Sequence, residues 1–258
     1  MRKRTWAALG VLGTVVVALG GFGAWIAALP ENIAVAAEPV PPAEEAALLE
    51  ALRPTRDRRP VIAIIGVNDA TETTDYVVPA GLLRRADVAD VTMLATAPGP
   101  VQLFPALKVE PDATIAEFDS AHPEGADYVI VPAMSRDDDP VALGWLQDQA
   151  KKGATIIGIC AGAKVVGAAG LLDGKRATTH WWYLKDLLKR HPTIEYVPNR
   201  RMVVDGKVAT TTGISASIPT MLTLIDAIGG RERALSVARD LGVEHWDTRH
   251  ASAAFRLS

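Results

Sequence analysis

The chain has 258 residues, of which 49% are hydrophobic and 22% are charged, the composition of a globular protein with one sizeable core. Its formal net charge of −3 lacks the basic excess of nucleic-acid binders, so we expect no nucleic-acid partner. The single cysteine excludes an intrachain disulfide. Cys160 is therefore a core residue, a reactive thiol or half of an intermolecular bridge.

A charge-free apolar run follows three basic residues at the N-terminus. Arg2, Lys3 and Arg4 precede residues 6–29, which as a helix at about 1.5 Å per residue would exceed a hydrocarbon core of about 30 Å. The run is longer than the apolar stretch of roughly 7–15 residues in a signal peptide, which favours an uncleaved signal anchor. Cleavage near Ala36, which would release a secreted protein, is the alternative. Because flanking basic residues stay in the cytoplasm, we expect the rest of the chain outside it.

The rest of the chain divides by composition. We predict a cytoplasmic basic tip at 1–5, a transmembrane anchor at 6–29, a linker with a short helix at 30–57, the main domain at 58–243 and a C-terminal tail at 244–258.

Short apolar runs alternate with amphipathic stretches from residue 60 onward. Unalternated apolar runs are typical of strands buried on both faces, and they occur at 61–67, 91–95, 128–132 and 155–159. Helical patterns occupy 77–86, 140–152 and 163–169 between them, and a hairpin around Asp205-Gly206 and two helices, 215–228 and 231–241, follow. This order predicts a parallel sheet with helices on both faces.

The stretch Gly158-Ile159-Cys160-Ala161-Gly162 follows an apolar strand and precedes an alanine-rich helix. It has the Gly-x-nucleophile-x-Gly form of a nucleophile elbow, with cysteine as the nucleophile. Small residues on either side permit a sharp turn, and the start of the helix would stabilise a thiolate. A buried structural cysteine beside glycines needed for close packing is the alternative.

Three further motifs accompany the elbow, and together they carry a resemblance. They are Asp75-Tyr76-Val77-Val78-Pro79, the stretch from Gly170 to Trp182, and Thr212-Gly213-Ile214-Ser215-Ala216. With the elbow they closely resemble the ThiJ/PfpI superfamily, in the branch of isocyanide hydratases and AraC-type regulator sensor domains. The resemblance covers about residues 60–243. It implies a flavodoxin-like, class I glutamine amidotransferase-like fold, a parallel sheet sandwiched by helices.

The resemblance also implies roles for three catalytic residues. Cys160 is the implied nucleophile, Asp75 matches the acidic side chain beside it, and His180 matches a histidine near the cysteine. Asp75 is alternatively a helix N-cap, and His180 a hydrogen-bonded structural histidine. We expect Asp75 to carry a proton and Cys160 to be a thiolate at neutral pH, with Asp75 shuttling the proton.

Other positions are expected to complete the pocket. Backbone N–H groups around Ala161 and Ala133 would stabilise an oxyanion. Gly162, Met134, Trp181 and Trp182 would line the pocket, although aromatic residues beside a helix start also serve packing.

Departures from the family pattern restrict the activity. PfpI-type peptidases carry histidine, and hydratases tend to carry threonine, where this chain has Ala161. A glutaminase would need glutamate where Trp182 stands, so glutamine hydrolysis is not expected. The run Asp137-Asp138-Asp139 before Pro140 is explained by helix capping, and we expect no metal and no cofactor.

The sequence therefore predicts a membrane-tethered, cofactor-independent enzyme whose Cys160 thiolate adds to an electrophilic carbon of a small molecule. The rival interpretations are a non-catalytic small-molecule sensor domain and a thiol redox sensor that uses Cys160 without turnover. The resemblance further implies a homodimer.

Overall fold

The computed structural model describes residues 20–21 and 40–252. The predicted cytoplasmic tip, nearly all of the predicted anchor at 6–29 and the start of the predicted linker lie outside these residues, as does the end of the tail. Within the described ranges, no helix combines the length and the apolar character that a membrane crossing requires.

One large sheet forms the centre of the molecule. Its strands are β1 (Val61–Gly66), β2 (Asp90–Ala95), β5 (Ala113–Thr114), β6 (Tyr128–Val131), β7 (Thr155–Gly158), β10 (Met202–Asp205) and β11 (Val208–Thr211). They lie in the order β10-β11-β7-β6-β1-β2-β5. Every neighbouring pair is parallel except the hairpin β10–β11. The predicted parallel sheet and its hairpin are confirmed.

Two small two-stranded sheets lie outside the large one. Strands β3 (Val101–Leu103) and β4 (Leu107–Val109) form a hairpin, and β8 (Arg176–Ala177) pairs in parallel with β9 (Glu195–Tyr196).

Helices cover both faces of the large sheet. They are α1 (Pro42–Ala51), α2 (Thr73–Ala86), α3 (Ile115–Ala121), α4 (Pro140–Lys151), α5 (Gly162–Ala168), α6 (Leu184–Arg190), α7 (Ser217–Gly229) and α8 (Arg231–Asp240). Alternate residues of β1 supply two separate cores, because successive side chains of a strand point to opposite faces. Ile62 and Ile64 pack with α1, α2, α7 and α8, whereas Ala63 and Ile65 pack with α3, α4, α5 and α6.

The segment predicted as a linker is part of this fold. Leu48 and Leu52 of the α1 region are buried in the core, and the Tyr128 hydroxyl donates a 2.7 Å hydrogen bond to the Leu52 carbonyl. Glu44 pairs with Arg200 at 2.7 Å. The folded unit thus includes residues from Val40 onward, which differs from the predicted start at 58. Flanking prolines and glutamates concealed the two buried leucines.

The predicted C-terminal tail also packs on the domain through residue 252. Trp246 contacts the core, and His250 is fully buried with its Nε2 2.9 Å from Thr223 Oγ1. Burial lowers the pKa of His250 to about 4, so the ring is neutral at physiological pH.

Starting the chain at residue 58 instead of 38 should lower its free energy of unfolding by about 3–6 kcal/mol. The reason is that two leucine side chains worth roughly 1.5–3 kcal/mol each would lose their burial. Urea denaturation followed by circular dichroism measures the difference. In the longer chain, Leu52→Ala should cost about 2–5 kcal/mol and the exposed Glu50→Ala almost nothing. Equal midpoints for the two lengths would contradict the packing of α1.

Candidate active site

The predicted catalytic residues lie at the carboxyl edge of the large sheet. Asp75 follows β1, Ala133 and Met134 follow β6, and Cys160 follows β7. The chain leaves β1 toward β2 on one side and later places β6 on its other side, so the strand order reverses between β1 and β6. Crevices at such a reversal are the usual ligand sites of open α/β sheets.

Cys160 stands on a strained turn between β7 and α5. Its φ is +57°, in the left-handed region that residues other than glycine seldom adopt. The Cys160 N–H donates to Thr211 Oγ1 at 3.2 Å, and the Thr179 hydroxyl donates to the Cys160 carbonyl at 3.2 Å. Such strain costs on the order of 1–3 kcal/mol and persists only where the surroundings hold it. The predicted elbow geometry is confirmed.

The glycines of the elbow have a direct steric reason. A Cβ on Gly162 would lie 2.1 Å from the Val131 carbonyl oxygen, and one on Gly158 would lie 3.1 Å from the Ala163 backbone nitrogen. The start of α5 therefore packs directly against the end of β6, and Gly162 supports the turn from behind.

Asp75 is fully buried in the first turn of α2. The Ala133 N–H donates to its Oδ2 at 3.3 Å. The N-cap of α2 is Glu72, whose carboxylate accepts from the Asp75 N–H at 2.8 Å. The alternative that Asp75 is itself the N-cap is therefore wrong, and its side chain is free to serve the site.

Burial, together with the negative charge of Glu72, raises the pKa of Asp75 from its ordinary 3.8 to about 7. Weaker opposing effects come from the Ala133 N–H, Cys160 and Ser217. Ser217 acts on Asp75 without a well-aligned hydrogen bond, since Asp75 Oδ1 and Ser217 Oγ are both buried without a hydrogen-bond partner in the described part of the chain. The expectation that Asp75 holds a proton close to neutral pH agrees with this shift.

Cys160 differs from its expected state. Burial of its sulfur and, to a smaller extent, the charge of Asp75 raise the pKa of the thiol to about 12, against a weaker lowering by the Ala161 N–H. The prediction of a free thiolate at neutral pH is therefore wrong. The helix N-terminus stabilises a thiolate less than the loss of solvent and the neighbouring Asp75 carboxylate destabilise it. The two groups titrate as a coupled pair that loses its first proton near pH 7.

Cys160 lines a cavity of about 340 Å³, whereas the fully buried Asp75 is not among the residues of its lining. Its lining joins the predicted Cys160, Ala161, Ala133, Met134, His180 and Trp182 to Glu72, Phe104 and Tyr183, which sequence reasoning missed. Trp182 is 66% exposed. Two residues predicted to line the pocket, Gly162 and Trp181, are not part of the lining, and Trp181 stacks on His180 with ring centroids 5.5 Å apart.

His180 lines the cavity without a direct bond to the acid–thiol pair. Its Nδ1 accepts a 3.2 Å hydrogen bond from the Trp182 N–H, which assigns the ring proton of the neutral form to Nε2. Burial lowers the pKa of His180, so the neutral form predominates at pH 7. Among the described residues no hydrogen bond links it to Cys160 or Asp75. His180 can therefore donate a hydrogen bond from Nε2 to a molecule bound in the cavity.

The two expected oxyanion donors are both engaged. The Ala133 N–H is bound to Asp75, which conflicts with a role toward substrate, and the Ala161 N–H interacts with the Cys160 sulfur. The structure thus assigns these amides to holding the acid and the thiol.

The acidic run before α4 is a capping structure, as predicted. Asp139 accepts from the N–H groups of Val141 and Ala142 at 3.1 and 2.9 Å, and Asp137 pairs with Lys164 and Arg190. Within residues 20–21 and 40–252, no three side chains of histidine, cysteine, aspartate or glutamate group as metal ligands would.

The fold and this elbow define a class of α/β protein with a cysteine at the end of a parallel strand. Residues 61–227 match the DJ-1/PfpI family, and the chain belongs to that family. The resemblance inferred from the motifs is confirmed.

The relatives of this chain include both an enzyme and a transcriptional regulator. The chain is 42% identical over 105 residues to the isonitrile hydratase of Pseudomonas putida, covering 40% of this chain and 44% of that protein. It is 36% identical over 99 residues to the HTH-type transcriptional regulator CdhR of Pseudomonas aeruginosa, covering 38% of this chain and 29% of that protein. The matched region is therefore less than half the length of either relative.

The fold itself has solved counterparts. A DJ-1 superfamily protein of Salmonella typhimurium superposes with a TM-score of 0.63 at 25% identity, over 72% of this chain and all of that one.

Gly162→Ala should destabilise the domain by more than about 3 kcal/mol or prevent folding, because the added Cβ meets a backbone carbonyl rather than a movable side chain. Thermal melting measures this. Gly144→Ala is the matched control, because that helical position has nothing within 4 Å of a new Cβ and should gain up to about 1 kcal/mol. Similar melting of the two variants would contradict the close backbone contact.

Asp75→Asn should become progressively more stable than wild type as the pH rises from 5 to 8. Because the pKa of Asp75 in the folded state, about 7, exceeds its unfolded value, the folded wild-type chain holds an extra proton between pH 4 and 7 and loses stability across that window. At about 1.4 kcal/mol per pKa unit the gain is at most roughly 4 kcal/mol. Denaturant unfolding at several pH values tests it, with the exposed Asp138→Asn as control. A pH-independent difference would exclude a buried protonated carboxyl.

Proposed function

We propose that this protein is a cofactor-independent enzyme in which the Cys160 thiol adds to an electrophilic carbon of a small molecule while Asp75 transfers the proton. The observation that carries the proposal is the pair itself. A strained cysteine that lines a cavity of about 340 Å³ interacts with a buried carboxyl whose pKa is raised to about 7. A purely structural cysteine needs neither the strain nor the carboxyl.

The reactive form is the pair with one proton between its two members. Above about pH 7 the Asp75 carboxylate accepts the thiol proton as the sulfur–carbon bond forms, which avoids a free buried thiolate. The π bond of the electrophile opens, and its oxygen, nitrogen or carbanionic carbon takes that proton from Asp75. A carbonyl gives a thiohemiacetal and an isonitrile gives a thioimidate. Attack of water on the thioimidate then releases a formamide and restores the thiol.

Two neighbouring groups support this step. The Ala161 N–H stabilises negative charge on the Cys160 sulfur, and the proton on His180 Nε2 can be donated to an anionic atom of the bound substrate. His180 stays neutral at pH 7, so it acts as a hydrogen-bond donor and not as a cation.

Similarity to the isonitrile hydratase supports hydration of a carbon–nitrogen multiple bond as one candidate reaction. A second candidate has its own support. Similarity to the regulator CdhR over 99 residues favours a ligand-sensing domain, in which the same cavity binds a small molecule without turnover.

The test is intact-mass and product analysis of the purified protein with a small aldehyde, an aliphatic isonitrile and a nitrile. We expect an adduct or turnover with at least one of them, with kcat/KM rising as the pH passes about 7. Cys160→Ser should abolish it, and Asp75→Asn should reduce it by about 10²–10⁴-fold and remove the step near pH 7. Binding without adduct or turnover would support the sensor instead. Modification only by peroxide would support a redox role.

A further inference from the structure

Glu72 is an acidic residue in the lining of the cavity, and hydrogen bonds hold its backbone in place. Its backbone N–H donates to the Ala133 carbonyl at 2.8 Å, and the next residue, Thr73, donates to the Phe104 carbonyl through both its N–H and its hydroxyl, at 3.2 and 2.6 Å. The cap of α2 and the β3–β4 hairpin are thereby joined on one side of the cavity. A side chain held on such a support meets a ligand in a fixed position.

Within residues 20–21 and 40–252, one oxygen of this carboxylate accepts hydrogen bonds. Glu72 Oε2 accepts both from the Thr74 hydroxyl at 2.7 Å and from the Asp75 N–H at 2.8 Å. Among the described groups, none donates a hydrogen bond to Oε1. The residue is only partly buried, and it lines the cavity together with Cys160. Oε1 is therefore the acceptor that Glu72 has available for a ligand.

The cavity lacks a compensating positive charge. No lysine or arginine occurs among the described residues that line it, and its one histidine is neutral at pH 7. Lys164 lies 4.8 Å from the centre of the Tyr183 ring, but it is outside the lining and its Nζ is 3.5 Å from Asp137. An anionic ligand would therefore face the Glu72 carboxylate without an offsetting cation, whereas a cationic ligand is attracted by it.

Three aromatic side chains complete the lining. They are Phe104, Trp182 and Tyr183, of which Phe104 is 39% and Trp182 is 66% exposed. Aromatic faces attract cations, most strongly quaternary ammonium groups that carry no hydrogen-bond donors of their own. A carboxylate and several aromatic rings in one small cavity form a recognition site for such groups.

We propose that Glu72 is the charge-selecting residue of this site, and that the cavity takes a small molecule carrying a positively charged ammonium group and rejects anions. The inference deepens the proposed function, since it names the charge of the molecule that would meet Cys160. It does not depend on turnover, because the same selection applies to a ligand that is only sensed.

The experiment compares three non-electrophilic ligands of similar size by isothermal titration calorimetry. They are (2-hydroxyethyl)trimethylammonium, its uncharged isostere 3,3-dimethylbutan-1-ol, and 3-hydroxypropanoate. We expect the cation to bind about tenfold more tightly than the isostere and the anion to bind most weakly. Protection of Cys160 from iodoacetamide by the cation would place the ligand in this cavity. None of these three ligands reacts with a thiol, so the measured preference for the cation would stand even if the chemistry proposed for Cys160 failed.

The variant that tests Glu72 is Glu72→Gln, which keeps an oxygen to cap α2 but removes the charge. It should bring the affinities for the cation and the isostere within about twofold of each other. Glu117→Gln is the control, because the Glu117 carboxylate also accepts a backbone hydrogen bond at the start of a helix, as the N3 residue of the α3 capping box, and does not line the cavity. In wild-type protein the preference for the cation should shrink at high salt, a readout that does not need a variant. Equal affinities in wild type, tighter binding of the anion, or no cation binding would each overturn the proposal.

Discussion

A carboxyl and a thiol occupy one buried space at the end of the sheet, and most features of the site follow from keeping them there. Without solvent or a cation, neither group ionises readily, which is why the pKa values of both Asp75 and Cys160 are raised. They cannot both be charged at neutral pH, so one proton must remain with the pair. The site therefore contains an acid or base and a nucleophile that are ready to exchange that proton with each other.

The strand order explains how two residues 85 positions apart in the chain meet. Because β1 and β7 lie on either side of β6, the loops after β1 and β7 converge above the end of β6. The backbone of β6 then supplies contacts to both sides. The Val131 carbonyl excludes any side chain at Gly162, and the Ala133 N–H binds the Asp75 carboxylate. A single strand thus sets the distance between the nucleophile and its acid.

Sequence reasoning reached the elements that depend on local patterns. The unalternated apolar strands, the glycines of the elbow and the capping aspartate at 139 follow from sterics within a few residues, and the structure agrees. The resemblance also pointed to Asp75, which interacts with Cys160, and to His180, which lines the same cavity as Cys160. Sequence reasoning failed for properties that depend on the tertiary surroundings of a residue. The charge state of Cys160 reflects burial by distant elements, and the Ala133 N–H is engaged by a side chain 58 residues earlier.

The lining residues that the sequence did not predict were missed for the same reason. Phe104 reaches the cavity from the β3–β4 hairpin, which carries no catalytic motif. Tyr183 directly follows Trp181 and Trp182, the two aromatic residues that were predicted to line the pocket. Glu72 gave no local signal either, since glutamate is not among the residues preferred at an N-cap. The short helix α1 was predicted but assigned to the linker, because two buried leucines of its region are too few for a strong periodic pattern.

The central claim is that Asp75 controls the proton of Cys160, and the rate of iodoacetamide labelling against pH measures it most directly. For wild type the rate should rise as the pH passes about 7, when the pair loses its first proton. For Asp75→Asn the rise should move above pH 8.5, the ordinary pKa of a free thiol, because burial remains while the proton acceptor is gone. Identical profiles for the two proteins, both rising at or above pH 8.5, would show that the carboxyl and the thiol are not coupled.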